Sequence, residues 1–396
     1  MPIFDQGYQH WSGELTGHGW RWLAITRHGV RIGMKNRVLR IALLIAWLPA
    51  VVLAFFLCVW GLIEQKSALV QPLVPLIGGI VGEDIVADAK AHRVEVWTLA
   101  YDYFLMTEVR LSMIVILLVG PGLISRDLRF NALPLYFSRP LRRIDYFAGK
   151  LGVVVYFLGL VLVVPSVIAY ILGLLFSLDW TIVRDTFSLL LASVGYGVVM
   201  SISAGLLILA LSSLSRNSRY VGLLWLGVWF VSSIVGSVLE TVNEEQRRED
   251  ARRHEAEAQY TARVAETKHA AQVAAKNQTP QEQQRMAMEQ RMEQQAAQRK
   301  ISADIQKEEW EAARSDWRPL FSYTANVARI GRHWLGTDAS WEKIAQTVPE
   351  DDRDQYLLQN MGPQYPWYWS AGVLAVLMGL SACVLNFRVK SLDRLK

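Results

Sequence analysis

The amino-acid sequence predicts an all-α membrane protein with six transmembrane helices, an N-terminal interfacial amphipathic helix, and a long extracytoplasmic helical hairpin between spans five and six. Three observations carry this reading. Six stretches are apolar over the roughly 20 residues that a bilayer crossing needs. Charge is concentrated: residues 240–366 hold 40 of the chain's 77 charged side chains (18 basic, 22 acidic), leaving 37 for the other 269 positions. Lys and Arg also collect in alternate connections between the apolar stretches. A chain that is 52% hydrophobic and 19% charged, against about 25% charged in average soluble chains, is not a simple soluble enzyme. The surplus of +5 is spread over short segments without a compact patch or recognition motif, which argues against a nucleic-acid partner.

The organisation follows in chain order. Residues 1–40 form a cytoplasmic N-terminus. Within it, Trp22, Ile25, Gly29 and Ile32 fall on one helical face and Arg27, Arg31 and Lys35 on another, the pattern of a helix lying in the headgroup plane with its cations near anionic lipid. Spans one to five occupy 41–239, at 41–63, about 103–125, 151–176, about 188–213 and about 220–239; the sixth opens the segment 367–396, at 367–387. The first apolar run is too long, and too far from the start, for a cleavable signal peptide. Pro49, Pro121 and Pro165 remove backbone donors within spans and predict kinks.

Orientation follows from the basic residues. Six lie before span one. Arg126, Arg129, Arg139, Arg142, Arg143 and Lys150 lie between spans two and three, and Arg388, Lys390, Arg394 and Lys396 in the tail, whereas the connections 64–100 and 177–187 are net acidic. This predicts a multi-pass cell (inner) membrane protein with both termini cytoplasmic and 240–366 outside. Trp60, Trp180, Trp367 and Trp369 then mark the outer aromatic belt. Glu108 and Arg110, in the outer part of span two, are a candidate outer gate or a pair that snorkels to the interface.

In the insert, 240–276 reads as a helix continuous with span five. Thr279-Pro280-Gln281-Glu282 reads as a capping box that starts a second arm to about 314. Each arm would reach on the order of 50 Å. Residues 317–366, with Trp317, Trp334 and Trp341, read as an amphipathic cap over the outer mouth. Cys58 and Cys383 fall inside spans and suit neither a disulfide framework nor a metal site.

The most organised connection is 123–150, LISRDLRFNALPLYFSRPLRRIDYFAGK. Pro134 and Pro140 break any continuous helix, so a short helix, a turn and a re-entry are expected, with Ser125 as a candidate cap. The string Leu123-Ile124-Ser125-Arg126-Asp127, then Leu135, Ser138-Arg139-Pro140-Leu141-Arg142-Arg143, Tyr146 and Gly149-Lys150 resembles the cytoplasmic loop of ABC type-2 transporter permeases. Those have an (I/L)-S-x-(D/E) start, a G-T-L centre, an S-R-P-(I/L)-S-R turn and a final G-K. Asn131-Ala132-Leu133 departs from the centre of that pattern and Arg142 from its turn.

The resemblance implies the permease subunit of an ATP-binding cassette exporter. Its partners would be a second permease chain, identical or a close paralogue, and two copies of a cassette ATPase carrying ATP and Mg; this chain would hold no cofactor or catalytic site. The loop would be a coupling helix, with Arg126, Asp127, Arg129, Phe130, Leu135, Tyr136 and Arg139 touching the ATPase. Consistent with hydrolysis on another chain, the Gly149-Lys150 pair is followed by Leu151 and has Ile144 where a phosphate loop needs glycine. A second reading is mechanotransmission, in which ATP cycles move the hairpin against a periplasmic partner.

Overall fold

A computed structural model describes residues 20–137, 141–177, 179–274, 314–349 and 364–390, with isolated positions 288, 292, 353, 356, 357, 360 and 361. The described residues are helical throughout their ordered elements and contain six helices long and apolar enough to cross a membrane.

Helix α1 (Arg21–Lys35) precedes a first span made of α2 (Arg37–Ala46) and α3 (Leu48–Glu64). The break falls at Trp47, with Pro49 in the first turn of α3, where its missing N–H costs nothing. Two short helices, α4 (Val74–Val81) and α5 (Glu83–Ala87), lead to α6 (Arg93–Val119). The second span thus starts about ten residues before its apolar stretch, because Arg93 and Glu95 are buried in ion pairs. Pro121 ends α6, and α7 (Gly122–Arg129) and α8 (Leu133–Phe137) follow.

The third span joins α9 (Arg143–Leu158) to α10 (Val164–Ser177) through a π-helical turn, Gly159–Val163, next to Pro165. All three prolines therefore mark irregularities, as backbone donors lost in a span require. Helix α11 (Thr181–Leu214) is the fourth span, and α12 (Ser218–Ala274) runs unbroken for 57 residues through the fifth span and beyond. The capping box at 279–282 and most of the second arm lie outside the described residues.

The segment expected to cap the mouth is instead built into the bundle. Helix α13 (Tyr323–Leu335) lies against the fourth, second, fifth and sixth spans. Tyr323 Oη and Ser203 Oγ of α11 are 2.9 Å apart, and Trp334 packs on Gly195. At Gly331 any Cβ would fall 2.4 Å from the Tyr196 ring. Helix α14 (Thr337–Ala345) returns to α6, where Lys343 Nζ meets Glu95 Oε1 at 2.8 Å, and α15 (Trp367–Lys390) is the sixth span. Charged residues made this segment read as surface; in the fold Arg329 is nine-tenths buried because Asp338 (2.6 Å) and the Tyr365 carbonyl (2.7 Å) satisfy it.

Trp60 is 1% exposed and belongs to the core, not to an aromatic belt, whereas Trp180 is 90% exposed. Cys58 is half-buried and Cys383 exposed, both free. At one end of the bundle Arg93 gathers Glu64 (3.2 Å), Asp179 (3.2 Å) and Asp185 (3.6 Å), tying the start of span two to the ends of spans one, three and four. The loop 123–150 sits at the opposite end.

Candidate functional site

Pro121 interrupts the second span and leaves the first amides of α7 without intrahelical acceptors. A side chain from another span supplies one. Ser212 Oγ accepts from Ile124 N (3.1 Å) and Ser125 N (3.0 Å) and donates to the Pro121 carbonyl (2.9 Å). Ser125 is therefore not a cap: α7 begins three residues earlier, and its buried hydroxyl donates back to Pro121 O at 2.5 Å. These bonds fix α7 to the end of α11.

Helix α7 stops where Asn131 takes φ +49°, a left-handed conformation that asparagine tolerates better than other residues with a Cβ. The Ala132 amide closes the turn on Asp127 O at 2.9 Å. Leu133, which opens α8, is buried.

The Asp127 carboxylate faces inward. Oδ2 accepts from Tyr146 Oη at 2.8 Å and pairs with Lys150 Nζ at 2.6 Å. Lys150 also lies over the rings of Tyr136 (5.7 Å) and Tyr146 (5.4 Å), which contact one another. Burial, and then the Asp127 charge, push the Tyr136 hydroxyl above its ordinary pKa. An aspartate, a lysine and two tyrosines thus clamp α7 and α8 to the first turns of α9. Asp127 is not an outward contact as expected, because its charge is needed to compensate the buried lysine. Tyr136 is half-buried in the same clamp.

Gly149 holds α1. A Cβ on Gly149 would lie 2.7 Å from Ile25 Cβ and 2.9 Å from the Trp22 carbonyl. Thr26 Oγ1 donates to Gly149 O at 3.0 Å. Arg27, Arg31 and Lys35 are exposed and Trp22 half-buried; Ile32 is exposed, and the packed face runs instead through Ile25, Thr26, Gly29 and Gly33. Two of those four positions are glycines because α1 packs at close range on α9: a Cβ on Gly29 would fall 2.5 Å from Val153 Cγ2 and one on Gly33 2.8 Å from the Phe157 ring.

What the platform presents outward is Arg126, Arg129, Phe130, Leu135 and Ile144. Phe130 is 74% exposed, Leu135 72% and Ile144 76%. The Arg129 guanidinium lies 5.6 Å from the Phe130 ring centre. Arg139 lies outside the described residues. Sequence reasoning missed Ile144 and Ser212. The signal for the first was an isoleucine inside an otherwise charged run; a serine near the end of a span carries no signal of its own.

Glu108 and Arg110 do not form a pair. Glu108 is fully buried, and both its carboxyl oxygens lack a hydrogen-bond partner among the described residues, as does the neighbouring Ser112 Oγ. Arg110 is on the exposed face of α6. The outer-gate and snorkelling readings both required Glu108 to reach an opening, and burial removes that. Among the described residues no cluster of His, Cys, Asp and Glu could hold a metal ion. Compared with protein families, curated proteins and solved structures, the chain matches none.

Proposed function

We propose that the chain is the permease subunit of an ATP-binding cassette exporter, working with a separate ATPase and a second permease chain. The observation that carries this reading is the platform between spans two and three. Two exposed arginines and three exposed apolar side chains stand on a rigid base bonded to spans three and four. An apolar anchor with charge around it is what a protein interface uses for affinity and register. Force applied to α7 passes to α11 through Ser212 and to α9 through Asp127. With the basic end in the cytoplasm, as the positive-inside bias of Lys and Arg predicts, the platform would meet a soluble ATPase, with helix α1 beside it.

The length of α12 supports the second reading, mechanotransmission to a periplasmic partner. Its 57 residues extend about 85 Å at 1.5 Å per residue, so the fifth span and the external arm move as one lever. A hairpin formed with the returning arm would project from the membrane at its tip.

Co-purification tests the platform. Arg129→Glu combined with Leu135→Asp should abolish capture of a cassette ATPase encoded beside this chain while leaving the melting temperature unchanged. Undiminished capture would count against the reading. Deleting residues 244–313 separates the two roles: a transporter keeps export coupled to ATP turnover, whereas a mechanotransmitter keeps turnover and loses its action on the partner.

A further inference from the structure

Seven residues make about two helical turns, so Tyr101, Glu108 and Val115 share one face of α6. The outer two of these meet the third span. Tyr101 Oη donates to Ser166 O at 2.8 Å, and Val115 is buried in one cluster with Phe157 and Val161. Glu108 therefore falls between these contacts, opposite the π-helical turn Gly159–Val163, which lies against α6. The position is deep in the span: Arg93 and Pro121 are each about 20 Å away along the helix at 1.5 Å per residue.

Nothing at that depth answers a carboxylate. Glu108 is 0% exposed, its two oxygens have no partner among the described residues, and neither has Ser112 Oγ one turn further on. The cations on helices packed against α6 are engaged elsewhere: Lys150 with Asp127, Arg332 with Asp102 and Lys343 with Glu95. Arg40 of α2 and Tyr156 of α9 are exposed, and Tyr196 of α11 lies against Gly331. An isolated carboxylate is too costly in such surroundings, and the group takes up a proton instead. A hard metal cation would need about six or more oxygens, and Glu108 with Ser112 brings fewer. Buried polar groups kept for structure are nearly always hydrogen-bonded, whereas this carboxyl carries a donor with no acceptor. The backbone facing it is irregular: π-helical turns recur at functional sites, and Pro165 withholds an N–H from this one.

We propose that Glu108 and Ser112 form a proton-binding site within the membrane. Glu108 holds the proton in the conformation described here and releases it when the π-helical turn moves away from α6. In that step the carboxyl O–H bond breaks, water admitted between spans two and three takes the proton, and the same water hydrates the carboxylate. This inference does not depend on an ATPase partner.

Infrared spectroscopy of the full chain in lipid bilayers tests it, as the difference between the parent and Glu108→Gln at neutral pH, where exposed carboxyls are ionised. The carbonyl stretch of a protonated carboxyl is expected in the parent and absent from the variant; Glu108→Met is the reference if Glu108→Gln does not fold. In D2O the stretch should shift as the proton exchanges. Pro165→Ala, which returns an N–H to the turn, should slow that exchange several-fold. Absence of the stretch in the parent would mean that Glu108 is ionised and would overturn the proposal. A stretch that never shifts in D2O would mean a sealed structural carboxyl and would overturn it as well. Exchange at the parent rate or faster in a folded Pro165→Ala chain would overturn the π-helical turn as the release route.

Discussion

Lys150 Nζ lies 2.6 Å from Asp127 Oδ2, joining the third turn of the third span to the short helix that follows the second. Both side chains are largely buried, at 11% and 15% exposure. Removing one partner leaves the other charge uncompensated, which costs about 3–5 kcal/mol for buried pairs. Asp127→Ala is therefore expected to lower the melting temperature of the purified chain markedly. Asp127→Ala combined with Lys150→Met should recover much of the loss, because neither charge is then stranded. Additive losses in the double variant would show that the pair is not coupled.

Ser212 offers a second prediction, on local rather than global stability. Ser212→Ala strips the acceptor from two buried amides, and a buried donor left unsatisfied costs about 1–3 kcal/mol. Hydrogen exchange at Ile124 and Ser125 should accelerate far more than exchange in the interior of α6. Uniform acceleration would indicate general destabilisation instead of a released joint.

How much of this was legible beforehand differs by element. The six spans are legible because each must present apolar residues to lipid over a full bilayer thickness. Their ends are not, since Arg93 and Glu95 start the second span inside ion pairs whose partners are distant in sequence. Helix α13 read as surface for the same reason: Arg329 and Arg332 look solvated until Asp338 and Asp102 are known to face them. The 123–150 loop carried its signal in prolines, charge and the Gly-Lys ending. The inward turn of Asp127 was hidden because an outward contact and an internal brace call for the same residue type.

The ion cluster at the other end predicts a pH dependence. Bonds from Lys90 and Thr181, with a smaller one from Arg93, hold the Asp179 carboxyl well below its ordinary value. A carboxyl depressed in the folded state contributes stability that is present above its unfolded value, about 3.9, and is lost as pH falls through the lower folded value. The melting temperature should therefore fall more steeply with acid below about pH 4 in the parent chain than in Asp179→Asn. Parallel curves for the two chains would show that this carboxylate does not contribute to the acid response.

Glu108 makes the opposite case, a polar group whose removal should help. Its oxygens are fully buried and have no partner among the described residues, so in either protonation state the folded chain bears a desolvation cost that the unfolded chain avoids. Replacing such a group by an apolar side chain of similar shape is neutral or stabilising. Glu108→Met keeps the length and removes both oxygens, and it is expected to melt at or above the parent temperature. Glu108→Gln keeps the shape and adds donors that also find no acceptor, so it should gain less. A Met variant that melts clearly lower would mean that the carboxyl is bonded within the folded protein. On the proposed exporter reading, a stable Met variant that loses export would mark Glu108 as a group retained for work inside the membrane, which is the usual meaning of an ionisable residue in a span.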